Sequence, residues 1–265
     1  QGANRRLFGR IRARHLPGFQ QIPGVEIVVV CNRTEASARA VAEAFRISRI
    51  ARRWQEVVAA TDVDAVVIGT WPSLHAEVTV AALEGGKHVL TEARMARSLA
   101  EAEEMLKASQ RHPKLVAQIV PAPMSLDVDQ TVAELITRDA LGTIREVHVA
   151  HTGGQYADAS DPLHWRQDEV ASGINVLSIG IVHEIVHRWL RQDVHWLVAD
   201  GAIFTTSRRD PQTSTPREVR LPDSLSIVGR FRSGARFLYD LSGVEAGEGR
   251  GEIRVNGSRA CLRFD

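Results

Sequence analysis

A chain of 265 residues with 44% apolar content and a net charge of +1 can bury a sizeable core and fits one large or two modest domains. Its charges are balanced and interspersed, which excludes a nucleic-acid face and an acidic-substrate funnel, and no apolar run approaches the roughly 20 residues that a membrane helix needs. The two cysteines, Cys31 and Cys261, lie far apart in strand-like runs, so they read as reduced core thiols of a cytoplasmic protein and not as a disulfide.

The chain opens on QGANRR, and residues 9–21 predict a helix. VEIVVVCN predicts a strand ending at Asn32, Arg33 and Thr34, and EASARAVAEAFRI a helix capped by Thr34 with Glu35 in its first turn. After the helix WQEVVAA comes DAVVIG, a buried parallel strand, then the turn TWPSLH, an amphipathic helix HAEVTVAALEGG stopped by Gly85 and Gly86, and the strand KHVLTE. This is a βαβ unit. SLAEAEEMLKASQ predicts a helix with Ser98 as cap and Glu101 as its capping-box partner, and LVAQIV the last strand of this half.

The pattern changes at Pro121-Ala122-Pro123. One helix, VDQTVAELI, is followed by the strands IREVHVAHT, HWLVADGAIFTT, LSIVGRFR, ARFLYDLS, GEIRVN and ACLRFD, with hairpin turns at Ser233-Gly234 and Asn256-Gly257-Ser258. Arg208 to Pro222, rich in Pro, Ser, Thr and Arg, predicts a long mobile loop. The fold class is therefore α/β: a doubly wound parallel sheet of Rossmann type over residues 1–120, then an α+β domain with a mostly antiparallel sheet over 121–265. Gly2, Ala3 and Asn4 read as the tail of the Gly-rich phosphate turn of such a unit, with its first strand expected to be missing.

The stretch 64–96 resembles the glucose-fructose oxidoreductase / inositol dehydrogenase (Gfo/Idh/MocA) family. Thr70, Pro72 and His75 match the family's aTPp..H turn, and Ala82, Leu83, Gly86, Lys87, His88 and Val89 match its AL..GKHV helix exit. The resemblance implies that Thr70, Trp71, Pro72, His75 and Glu92 line the cofactor. It also implies a hydride-transferring enzyme of sugar-like substrates and a homo-oligomer, dimer or tetramer, built on an open sheet face. Asn32, Arg33 and Thr34 stand where an NAD enzyme usually places a carboxylate for the ribose, so NADP is favoured and NAD remains possible.

The family's E-K-P motif keeps Glu92 but has Ala93 and Arg94 in place of its lysine and proline. Only Lys87, Lys107 and Lys114 are present in the chain, and none is a candidate to replace that proton-transfer lysine. Further on, Trp165, Arg166, Gly173 and Gly180, with Leu177 approximately, match the family's substrate frame, and Trp165 and Arg166 are implied at the cofactor. That frame's catalytic Asp and His are here Ser178 and Val182, and its final Asp is Ile185. Replacement acid–base candidates are His183, His187 and His164, with Arg94 placed to stabilise an alkoxide or bind an anion. His183-Glu184-Ile185-Val186-His187 also spells the H-E-x-x-H zinc motif, but no Glu lies between His187 and Glu218 to supply a third ligand and Arg188 sits beside it. The expectation is an NAD(P)-dependent oxidoreductase without a metal. The alternatives are a non-catalytic cofactor- or sugar-binding homologue and, more remotely, a zinc hydrolase.

Overall fold

β-branched runs spaced by strong helix formers fold, in the computed structural model, into an alternating α/β half and a sheet-rich half; residues 14–265 are described, so Gly2, Ala3 and Asn4 lie outside the described residues. The chain divides into two compact units between Val120 and Pro121. Among the described residues, no helix is long and apolar enough to cross a membrane.

The first unit runs α1 (Leu16–Phe19), β1 (Val29–Cys31), α2 (Glu35–Phe45), β2 (Arg49–Ala51), α3 (Trp54–Ala59), β3 (Ala65–Ile68), α4 (His75–Glu84), β4 (His88–Thr91), α5 (Leu99–Arg111) and β5 (Ala117–Ile119). β1 pairs with β2, and β3, β4 and β5 form a second ladder; every one of these pairings is parallel. Parallel neighbours require a crossover, and α4 supplies it between β3 and β4. Its Val78, Ala82 and Leu83 pack with Val66, Ile68 and Val89 of the strands. The helix stops because Gly86 adopts φ +74°, and Lys87 N–H then donates back to the Ala82 carbonyl. Lys87 Nζ donates to the Ala60 carbonyl at 2.8 Å, a structural use of this lysine.

Thr34 caps α2 by accepting from Ser37 N–H at 3.2 Å. Ser98 caps α5 through Glu101 N–H, but the capping box does not close: the Glu101 carboxylate accepts from Arg97 N–H and pairs with the Arg97 guanidinium, a stronger, charged partner one residue upstream. α1 ends at Phe19, two residues short of the span its sequence predicts.

The second unit holds α6 (Asp129–Thr137), β6 (Ile144–Thr152), α7 (Glu169–Ser172), α8 (Ile179–Leu190), β7 (Val194–Ala202), β8 (Ser207–Arg209), β9 (Pro216–Glu218), β10 (Ser224–Phe231), β11 (Arg236–Ser242), β12 (Gly251–Gly257) and β13 (Cys261–Phe264). Six strands form one sheet in the order β13-β12-β6-β11-β10-β7, antiparallel except for β6 against β11. Val182, Ile185, Val186 and Trp189 recur at helical spacing along α8 and bury against Val147, Phe237, Tyr239 and Leu241 on the sheet's inner face. Each such side chain contributes about 1.5–3 kcal/mol of burial.

Two expectations are corrected. Cys261 is exposed on the edge strand β13, and Cys31 is only half-buried, so neither is a core thiol. The segment 208–222 is not a free loop, because β8 and β9 pair as an antiparallel ribbon within it. Arg208 anchors that ribbon: its buried guanidinium donates to the carbonyls of Tyr156, Asp158 and Asp161, all some fifty residues away in sequence.

Candidate functional site

The carboxyl ends of the parallel strands are where open α/β sheets bind ligands. At the end of β1, Asn32, Arg33 and Thr34 are all exposed. At the end of β3, Thr70 and Trp71 are exposed while Pro72 is buried at the start of a short 3-10 turn. Between the two ends, the Arg33 guanidinium lies 5.2 Å from the centre of the Trp71 ring. A flat cation over a flat ring, with Glu35 turned away to Arg39, forms a surface suited to adenine and to a ribose phosphate. The residues present therefore fit the adenine end of a dinucleotide.

His75 serves a different purpose from its neighbours. It is 1% exposed, with Nδ1 2.7 Å from the Arg94 carbonyl and Nε2 3.0 Å from the Thr70 carbonyl. Either tautomer donates to one of these acceptors, so the ring, carried on α4, hydrogen-bonds one of the turns after β3 and β4 while packing against the other. Glu92, also buried, keeps company with His15, whose Nε2 stands 2.6 Å from Glu92 Oε1. Thr79 and Thr91 hydroxyls close the same layer at 2.8 Å. Ala93 and Arg94 are half-buried where the family carries its lysine and proline.

In the second unit, His164 caps a 3-10 turn over Trp165–Gln167 by accepting from Arg166 N–H at 3.2 Å, and Arg166 stacks 4.2 Å from the centre of the Trp165 ring. Asp168 then caps α7, and Gly173 ends it at φ +67°, ψ −156°, a conformation only glycine holds without strain. That requirement accounts for the glycine of the family frame at this place. Ser178 precedes α8 without a side-chain capping bond. Val182 and Ile185, at the altered acid–base positions, point into the core.

His183 is half-buried beside them. Its Nδ1 is 3.0 Å from the Tyr239 hydroxyl, and the rings of His183 and His187 lie 6.4 Å apart. Burial first, and then His187, push His183 below its ordinary value of 6.5, while burial pushes the Tyr239 phenol well above 10.0. The imidazole is therefore neutral near neutral pH and the phenol stays protonated. His187 is exposed, with Nδ1 3.3 Å from the Gln192 carbonyl. Glu184, the would-be base of a zinc site, accepts instead from Ala122 N–H and pairs with Arg188. Among the described residues, no group of three His, Cys, Asp or Glu is placed to hold a metal. Tyr239 was not legible as a partner of His183, since 56 residues separate them and only the β11 register brings them together.

The fold and these sites define a dinucleotide-binding α/β protein with an appended mixed-sheet domain. Residues 8–119 match the oxidoreductase family with an NAD-binding Rossmann fold, and residues 130–263 match the GFO/IDH/MocA C-terminal domain. The chain belongs to the Gfo/Idh/MocA oxidoreductase family, whose cofactor is NAD(P). It is 38% identical over 102 residues to a 4-carboxy-2-hydroxymuconate-6-semialdehyde dehydrogenase of Sphingobium sp., covering 38% of this chain and 32% of that protein. Over 259 residues it is 24% identical to inositol 2-dehydrogenase of Salmonella typhimurium, covering 97% of this chain and 74% of the relative. The crystal structure of an oxidoreductase domain protein from Kribbella flavida superposes with a TM-score of 0.85 at 27% identity, covering 96% of this chain and 68% of that one.

Proposed function

We propose that the chain forms an NADP(H)-dependent oxidoreductase acting on a hydroxyl or carbonyl of a sugar or polyol derivative, with His183 in place of the family's usual proton-transfer residues. The observation that carries the cofactor reading is Arg33 stacked on Trp71 at the strand ends, with no carboxylate among residues 32–34. The named activity of the inositol 2-dehydrogenase relative supports a polyol substrate.

When bound, the nicotinamide accepts or supplies the hydride. The chain's part is to hold the dinucleotide with Arg33, Trp71 and Thr70, and to move one proton. With Nδ1–H donating to the Tyr239 oxygen, His183 Nε2 carries the lone pair that takes a hydroxyl proton during oxidation and returns it during reduction. Tyr239 is a positioning residue for that imidazole. His187 and His164 remain secondary candidates, each already engaged locally by the Gln192 carbonyl and by Arg166 N–H. Arg94 fits as an electrostatic partner for an alkoxide or anionic group, because a guanidinium cannot act as a base.

A homo-oligomer is also proposed, formed on the outward face of the six-stranded sheet. There Val198, Val228 and Leu238 stand in one register row across β7, β10 and β11, beside Trp196, and all are exposed. The setting proposed is the cytoplasm, where the exposed Cys261 thiol stays reduced.

Titration of NADPH and NADH tests the cofactor reading: NADPH binds at least about tenfold more tightly, and Arg33→Ala removes the preference. Equal or tighter NADH binding sinks it. The second reading, a non-catalytic binding homologue, rests on Val182 and Ile185 being buried in the core where the family has acid–base groups. Tight cofactor binding with no turnover across a polyol and sugar-acid panel would establish it.

A further inference from the structure

The outward face of the six-stranded sheet ends, at the β10–β11 and β12–β13 hairpins, in a shallow, open depression lined by Arg145, Arg230, Arg236, Arg259, Glu146 and Asn256 among others. Four guanidiniums here meet one lining carboxylate. Arg230 and Arg236 stand directly opposite each other across β10 and β11, and like charges in that relation destabilise a strand pair.

Neutralisation within the chain is incomplete. Arg236 Nη2 donates to Glu146 Oε1 at 2.6 Å, and Asn256 Nδ2 to Glu146 Oε2 at 3.4 Å. Arg259 is paired with Asp139. Arg230 spends its donor on the Gly234 carbonyl at 2.7 Å, which cancels no charge. Among the described residues, Arg145 has neither a hydrogen-bond nor an ion-pair partner. Two guanidinium charges thus line this depression with no carboxylate of their own.

We propose that this pocket is an anion-binding site for a small molecule carrying two neighbouring phosphate or carboxylate groups. Guanidinium forks match the oxygens of both groups bidentately, and the clustered charges raise the local positive potential. The chain's net charge of +1 keeps that potential local, which favours a compact metabolite over an extended polyanion. The site lies wholly in the second unit and does not depend on how the dinucleotide is held.

The test is calorimetric titration of inorganic pyrophosphate into the full chain saturated with NADP(H), which keeps the probe from any dinucleotide phosphate subsite. Saturable one-to-one binding is expected, weakening as salt rises. The Arg145→Ala/Arg230→Ala double variant should bind at least about tenfold more weakly. Glu146→Gln, which removes the competing carboxylate and frees Arg236, should bind more tightly than wild type. Circular dichroism checks that both proteins are folded; should the double variant fail to fold, the direction of the Glu146→Gln change decides. Absence of binding at millimolar pyrophosphate, or failure of either folded variant to move in its stated direction, overturns the proposal.

Discussion

Replacing His75 with leucine asks whether this histidine ties a turn beside it to α4 or serves the cofactor directly. Its ring lies between the Thr70 and Arg94 carbonyls at 3.0 and 2.7 Å and is itself 1% exposed. The neutral ring donates to one of the two, and stranding a buried carbonyl costs about 1–3 kcal/mol, while the added leucine returns about 1–2 kcal/mol of apolar burial. The net loss expected is about 1 kcal/mol. Urea unfolding followed by tryptophan fluorescence suits the measurement, because Trp71 adjoins Thr70 and reports the same turn. NADPH affinity should fall in parallel with stability, since the loosened turn carries Thr70 and Trp71. A variant within about 0.5 kcal/mol of wild type would refute the tie. If stability held while NADPH binding was lost, His75 would be a direct cofactor ligand.

Because burial holds His183 below its unfolded value of 6.5, the unfolded chain takes up its proton first as pH falls. Stability from this group is therefore full above 6.5 and declines as pH drops below it towards the folded value, a slope that His183→Gln should flatten in urea titrations run at several pH values. Arg208→Met removes the donors to Tyr156, Asp158 and Asp161 and should cost about 3 kcal/mol in thermal unfolding, with earlier proteolysis within 208–222; an unchanged midpoint would show that the ribbon stands without it. Thr34→Ala deletes the α2 cap and should cost about 1 kcal/mol by the same assay. Trp196→Asp with Leu238→Asp should shift the protein to monomer by light scattering, and an unchanged mass would move the interface elsewhere.

Legibility followed sequence distance. The β10–β11 hairpin and the βαβ run 64–91 could be read from alternation within GRFRSGARFLYDL, from Gly85 and Gly86, and from the β-branched strands, because each signal sits inside the element it specifies. The ribbon of β8 and β9 was hidden because its Pro, Ser, Thr and Arg composition has the look of a loop, and what orders it is Arg208 reaching carbonyls about fifty residues away. The same holds for the sites. Arg33 and Trp71 were each visible at a strand end, but their contact is tertiary. His183 was visible, whereas its link to Tyr239 and its burial come from packing α8 on β11. The arginine pocket collects residues from β6, β10, β11 and the β12–β13 turn, a grouping that only the sheet order creates.

The most direct measurement of the central claim is steady-state reduction of NADP+, followed by nicotinamide absorbance over a panel of polyols and sugar acids, for wild type and His183→Gln side by side. Turnover by wild type with at least one member, falling by about a hundredfold or more in the variant while NADPH affinity is unchanged, is the predicted result. Equal turnover in the two proteins would contradict the assignment of His183, and a wild type that binds NADPH tightly yet turns over nothing would contradict the enzyme itself.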